Sequence, residues 1–191
     1  MIKSIDELTI KQYLKLKAIA EAEIDEMQML VKMYSELSGL DVEDVRKLSY
    51  EELNKINDIK HLENNNKIKL KFKIGNKRFK IIWQEQELST EQYIDVTHFC
   101  SQNNLEDNLH NILASLAVEV NWFGKTKGYD GSKHKEVAQL FYNNVKIKDV
   151  YPLVVFFCEY YQELTRGMLT YFQEHPQAIQ DFMISGDGLQ Q

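Results

Sequence analysis

A short segment of alternating residues near the middle of the chain constrains the fold most strongly. Between residues 67 and 83, apolar side chains alternate with lysine or arginine along most of the segment: Ile68, Leu70, Phe72, Ile74, Phe79, Ile81 and Trp83. A period of two is typical of β-strands with one buried face, because successive side chains point to opposite sides. Gly75-Asn76 between the two runs suits a tight turn that needs positive φ. The pattern predicts an antiparallel β-hairpin at about 68–83.

The same segment concentrates positive charge in an otherwise acidic chain. Residues 67–80 contain seven basic and no acidic residues, although the whole chain has a net charge of −6. Three interpretations stay open: a contact with an acidic partner protein, protection of exposed strands against edge-to-edge aggregation, and nucleic-acid binding. The overall acidity argues against general nucleic-acid binding, and the exposed hairpin face offers neither a broad basic groove nor aromatic stacking.

Helix signals dominate the rest of the 191 residues, which include only two prolines and eight glycines. Capping-box patterns recur ahead of apolar residues at helical spacing: Ser4–Glu7, Thr9–Gln12, Ser49–Glu52 and Ser89–Gln92. Gly39 is placed to end one helix, and a dense apolar stripe runs from Leu105 to Ala117. Asp149 is a candidate cap of the last helix, with Pro152 in its first turn. We therefore predict a mainly α (α+β) fold, a helical bundle with one antiparallel hairpin.

The domain organisation follows from two linkers, HLENNNK at 61–67 and NWFGKTKGYDGSKH at 121–134. We predict an N-terminal helical region at 1–63, the basic hairpin at 67–84 and a C-terminal helical region at 88–174. An extended tail follows at 175–191. The three packed regions are expected to form one composite domain, and the absence of a long apolar run predicts no membrane span.

No pattern in the sequence assembles a reactive site. Phe123–Thr126 (FGKT) resembles the end of a phosphate-binding loop, but Glu119 stands where that loop requires glycine. His98 and Cys100 form an isolated pair without the spacing of a zinc site. We predict no catalytic, metal-binding or cofactor-binding residue, no cofactor and no enzymatic activity. An unrecognised enzyme is the rival hypothesis.

Three stretches in a fixed order carry a resemblance to a known family. These are ELSGLDVEDVRKLSYEEL at 36–53, the lysine-rich hairpin followed by LSTEQYIDV at 88–96, and DNLHNILASLAV at 107–118. Together they resemble the tail assembly chaperone-like proteins of tailed bacteriophages, over roughly Thr9 to Phe172. The matches are helix caps and apolar positions rather than reactive groups.

The resemblance implies a non-enzymatic role in phage assembly, in which the protein binds tape-measure, tail-tube or connector and portal-region proteins. It implies the host cytoplasm as location, with retention in the virion as a ring, connector, baseplate or cargo component as the alternative. A homo-oligomer in an assembly is also expected, and a nucleic-acid-binding accessory role is the lower alternative. The predicted partner-binding residues lie on the hairpin and in the tail: Lys69, Lys71, Lys73, Arg78, Lys80, Phe182, Met183 and Ile184.

Overall fold

The fold is mainly helical with one small antiparallel sheet. The computed structural model describes residues 5–58, 69–84, 87–102, 104–157, 163 and 170. The helices are α1 (Ile10–Glu21), α2 (Glu26–Ser38), α3 (Val42–Val45), α4 (Tyr50–Asn54), α5 (Thr90–Cys100), α6 (Leu109–Leu116) and α7 (His134–Asn144). Residues 147–157 are helical as well. The strands β1 (Lys71–Ile74), β2 (Lys77–Ile81) and β3 (Ala117–Glu119) form a sheet in the order β1-β2-β3. The predicted fold class is confirmed.

Local capping chemistry sets several helix ends as the sequence predicts. Thr9 and Ser89 each accept a hydrogen bond from the backbone N–H three residues on, and Gln12 and Gln92 complete reciprocal capping boxes. Gly39 ends α2 in the left-handed region, with φ of 75°. These side-chain and backbone contacts satisfy groups that the first and last turns leave unpaired. Residues within a few positions of each other therefore define these helix boundaries.

The central helix α6 is buried on almost every side. Its buried residues are Leu109, Ile112, Leu113, Ala114, Ser115 and Leu116. A helix that is apolar all round belongs in the middle of a core. It packs between α5 and α7, and the Gln92 side-chain amide of α5 donates to the carbonyl of Ser115 at 3.0 Å.

The inner face of the sheet packs on α7. Phe141, which is fully buried, meets Phe79 and Phe72 edge to face, with ring centroids 5.0 and 5.9 Å apart. Such pairs add to the stability that burial of the rings provides. The hairpin is thus anchored to the helical core by aromatic contacts from both strands.

Backbone pairing joins the start of the chain to the segment after α7. The amide of Ile10 donates to the carbonyl of Val145, and the amide of Ile147 donates to the carbonyl of Leu8. A smaller apolar cluster holds α2, α3 and α4 together through Val31, Tyr34, Val45 and Leu53.

By its contacts the chain divides into two compact units, Met1–Val154 and Val155–Gln191. The second unit is described only at 155–157, 163 and 170, where Phe156 meets Phe157 edge to face. The predicted division into regions 1–63, 67–84, 88–174 and 175–191 stays a prediction.

Two expectations about element boundaries were wrong. The helical stripe ends at Leu116, because Ala117 turns extended and enters β3, where it pairs with Ile81 of β2. The helix after α7 begins at 147, so Asp149 lies inside its first turn rather than before it, and Pro152 lies beyond that turn. The Asp149 carboxylate instead accepts from Lys69 at 2.7 Å.

Candidate functional site

The outer face of the sheet collects the basic residues of the hairpin. Because Phe72 and Phe79 point into the core, the alternation of the strands sends Lys71, Lys73 and Arg78 to the exposed side. Lys80 shares that side and is half-buried. Gly75 allows the tight connection, with φ of 55°, a conformation that a residue with a Cβ atom rarely adopts. We call the surface of Lys71, Lys73, Arg78 and Lys80 the basic face.

The strand register sets like charges directly opposite one another. Lys71 pairs with Lys80, and Lys73 pairs with Arg78. Like charges at directly opposed positions of an antiparallel pair are destabilising. The hairpin therefore carries an electrostatic cost that a neutral or mixed pattern would avoid.

Few acidic side chains among the described residues neutralise the charges of the basic face. The ammonium of Lys80 lies 3.9 Å from a carboxylate oxygen of Glu87, at the limit of an ion pair, and both side chains are about half exposed. Lys71 and Lys73 have no acidic partner in the described part of the chain. An anionic partner could therefore approach Lys71 and Lys73 without displacing any described ion pair.

Lys69 differs from the other predicted contact residues. Its ammonium donates to Asp149 at 2.7 Å and also lies 5.2 Å from the ring centre of Phe72. The Lys69 ammonium is therefore held against other side chains of the protein. Among the predicted basic contacts, Lys71, Lys73, Arg78 and Lys80 are brought together, whereas the charge of Lys69 is already paired.

A turn at 121–125, which we call the aromatic turn, lies beside the basic face and was not predicted from the sequence. The Trp122 side chain is 80% exposed and that of Phe123 is 92% exposed. The Arg78 guanidinium lies 4.9 Å from the centre of the Trp122 ring, within the range of a cation–π contact. The signal available in the sequence was the adjacent pair Trp122-Phe123 inside a linker rich in glycine, where burial of large rings is not expected.

Hydrogen bonds close the aromatic turn into a defined shape. The amide of Asn121 donates to the carbonyl of Lys125, and the Asn121 side chain accepts from the Lys125 amide at 2.9 Å. Gly124 has φ of 82°, and Val120 bridges to Thr126. The turn and the basic face border one groove of about 470 Å³, lined by Lys71, Lys73, Arg78, Lys80, Val120 and Thr126 among others.

A partly buried polar contact holds the segment that follows the aromatic turn. The hydroxyl of Tyr129 donates to the Asp95 carboxylate at 2.5 Å and lies 3.0 Å from Nδ1 of His134. Since a carboxylate only accepts, the phenol oxygen must receive the His134 proton, which places that proton on Nδ1. Burial, together with the Asp95 charge, raises the pKa of Tyr129 above its ordinary value. We call Asp95, Tyr129 and His134 the tyrosine latch.

The surroundings lower the pKa of two histidines, His134 of the latch and the neighbouring His110. Burial lowers the pKa of His134, which the charge of Asp95 partly opposes. Burial also lowers the pKa of His110, and the neighbouring His134 adds to that shift. Nε2 of His134 and Nδ1 of His110 are buried without a hydrogen-bond partner in the described structure. Among the described residues, no group of three or more histidines, cysteines and carboxylates is arranged to hold a metal ion.

The tail residues predicted to bind a partner, Phe182, Met183 and Ile184, lie outside the described residues. Within the described part, no helix is both long enough and apolar enough to cross a membrane. No protein-family model, curated protein or solved structure matches the chain. The resemblance to tail assembly chaperone-like proteins therefore stays a prediction.

Proposed function

We propose that this chain is a non-enzymatic bacteriophage assembly protein that binds an acidic segment of another phage structural protein through the basic face. The observation that carries the proposal is the placement of Lys71 and Lys73 opposite Lys80 and Arg78. Bound carboxylates would reduce the repulsion between the basic side chains of both pairs. Binding would therefore also lower the electrostatic energy of the hairpin itself.

The aromatic turn supports a protein partner. Tryptophan and arginine are among the residue types that most often dominate the energy of protein interfaces. Arg78 lines the groove, and its guanidinium lies 4.9 Å from the centre of the Trp122 ring. An acidic segment with an apolar side chain could contact the lysines and the Trp122 ring together. The family resemblance makes tape-measure, tail-tube and connector or portal-region proteins the candidate partners. As the alternative, this protein remains in the virion as a structural component.

Single-stranded nucleic acid is the second candidate ligand. Exposed aromatic rings next to basic side chains can stack on bases while the cations contact phosphates. Trp122 and Phe123 supply the rings that the hairpin segment itself lacks. The net charge of −6 disfavours this candidate, because most of the molecule would repel a polyanion.

Zero-length carbodiimide cross-linking in phage-producing cells tests the proposal. The reagent joins a lysine amine to a carboxylate only at ion-pair distance, and mass spectrometry identifies both residues. We expect cross-links from Lys71, Lys73 or Lys80 to Asp or Glu of a structural protein. Replacing all three lysines by Glu is expected to abolish them and to abolish co-purification of that protein.

A matched control reverses the same number of charges elsewhere. Lys32, Lys135 and Lys146 are exposed on other elements, so Lys32→Glu, Lys135→Glu and Lys146→Glu together should leave co-purification intact. Loss of binding in both triple variants would show a general charge effect and contradict a site on the basic face. Mass spectrometry of purified particles beside the lysate separates a chaperone, absent from particles, from a virion component.

A further inference from the structure

Within the part of the chain that the structure describes, β1 forms an edge of the sheet, since the order is β1-β2-β3. We propose that the acidic partner segment binds as an added strand along β1, in an extended conformation with alternating acidic and apolar residues. This inference depends on the proposed function, because it specifies how the basic face holds an acidic segment.

The register shows which backbone groups of β1 are directed outward. The carbonyl of Leu70 accepts from the amide of Ile81, so Leu70 directs its backbone toward β2. Backbone groups alternate in direction along an antiparallel strand, so Phe72 also bonds to β2 while Lys71 and Lys73 turn away from it. Within the described residues, no backbone hydrogen bond from outside the β1–β2 ladder reaches Lys71 or Lys73. These two residues offer two N–H donors and two carbonyl acceptors along the edge.

The side chains beside that edge define the sequence that would fit. A residue placed opposite Lys71 or Lys73 on an added strand lies on the basic face, where a carboxylate is favoured. Its neighbours point to the other face, toward the buried Phe72 and the half-buried Ile74, where apolar side chains are favoured. Alternation of Asp or Glu with Val, Ile or Phe meets both requirements at once.

The same lysines exclude competing strands. If β1 of a second copy paired along this edge, lysines would meet lysines across the new ladder, which is how exposed edges commonly avoid self-association. An acidic strand meets the opposite condition. The edge therefore discriminates by charge: it repels β1 of a second copy and attracts acidic segments.

Two short peptides of identical composition test the inference with the full chain. In one peptide Glu and Val alternate, and in the other the Glu residues form one block and the Val residues another. We expect the alternating peptide to bind about tenfold more tightly, because only it can pair its backbone while meeting both faces. Binding is measured by fluorescence anisotropy of labelled peptide at low salt, and amide exchange should slow at Lys71 and Lys73.

Two variants at one position separate backbone pairing from charge. Lys73→Gln removes only the charge, whereas Lys73→Pro also removes the outward N–H, and proline is tolerated on an edge strand at such a position. We expect Lys73→Pro to bind the alternating peptide about tenfold more weakly than Lys73→Gln. A peptide N-methylated at alternate residues gives the same comparison without altering the protein, and it should lose the advantage over the block peptide.

The outcomes distinguish the two proposals. Equal binding of both peptides, with unprotected amides at Lys71 and Lys73, would overturn strand addition and leave an acidic partner on the basic face. Failure of both peptides to bind would overturn strand addition as well. Binding of oligothymidylate in place of either peptide, lost in Trp122→Ala, would overturn both proposals in favour of single-stranded nucleic acid.

Discussion

The two faces of the hairpin obey different physical demands. The inner face places Phe72 and Phe79 against Phe141 in the closed core, where each contact adds to folding stability. The outer face places lysine opposite lysine and lysine opposite arginine, and the repulsion within these pairs lowers folding stability. Folding alone accounts for the inner face and leaves the outer face unexplained. A face that opposes folding is where an interaction with another molecule should be sought.

The largest expected effect comes from emptying the core site under the inner face of the hairpin. Phe141→Ala empties the site that both hairpin strands contact, and a buried Phe→Ala change costs about 3–5 kcal/mol. The midpoint of thermal unfolding should fall by roughly 10 °C or more. Circular dichroism checks this. As a control, Ile94→Ala at a 58% exposed position should change the midpoint little, and equal losses in both variants would contradict the assigned core.

The next effect concerns the tyrosine latch, which holds the segment after the aromatic turn. Tyr129→Phe keeps the ring but leaves the Asp95 carboxylate and the His134 N–H without their shared partner, at a cost of about 1–3 kcal/mol. Chemical denaturation measures it, with Tyr50→Phe at a 60% exposed ring as control. An unchanged free energy of unfolding for Tyr129→Phe would mean that the latch contributes nothing to the fold.

A smaller expected effect is a loss of folding stability at acidic pH. Burial lowers the pKa of His110 and His134 in the folded state, so the unfolded chain binds more protons below about pH 6.5. Stability from this source is complete above that pH and is lost as the pH falls toward the lowered values. Thermal midpoints between pH 7.5 and 5 should therefore decrease, and less steeply in a His110→Gln and His134→Gln double variant. An equal decrease in both proteins would assign the acid sensitivity to other groups.

The hairpin and the helix caps could be predicted from local sequence patterns. The third strand could not, because a contact between distant parts of the chain determines it. The hairpin, its Gly75 turn and the caps at Thr9 and Ser89 depend on residues within a few positions, so periodicity and capping patterns disclose them. The third strand depends on pairing of Ala117 with Ile81, and nothing in its three residues distinguishes it from the end of a helix. Propensity is weak for so short a segment, and the partner strand decides its conformation.

The candidate site divides in the same way. Alternation alone placed Lys71, Lys73, Arg78 and Lys80 together, because the period of a strand is local. The aromatic turn reached the basic face only through the pairing of β3 with β2, which brings Trp122 to Arg78. The contact of Tyr129 with Asp95 spans 34 positions and could not be read from spacing. Sequence patterns therefore supplied the charges of the site but not the rings beside them.

The smallest expected effect is a gain in stability on the outer face, opposite in sign to the effect of the core changes. Lys71→Glu places a carboxylate opposite Lys80 and converts a repulsive cross-strand pair into an attractive one. We expect the free energy of unfolding to rise by about 0.2–1 kcal/mol, measured by urea denaturation at low salt. Combining Lys71→Glu with Lys80→Glu restores a like-charged pair and should remove most of the gain, which makes the coupling between the two positions measurable.

The same Lys71→Glu protein should bind the acidic partner more weakly, so stability and binding would move in opposite directions at one residue. That combination is difficult to obtain from damage to the fold, which lowers both. If Lys71→Glu instead lowered stability, the outer face would contribute to folding as the inner face does. The reason for assigning it to a partner would then disappear.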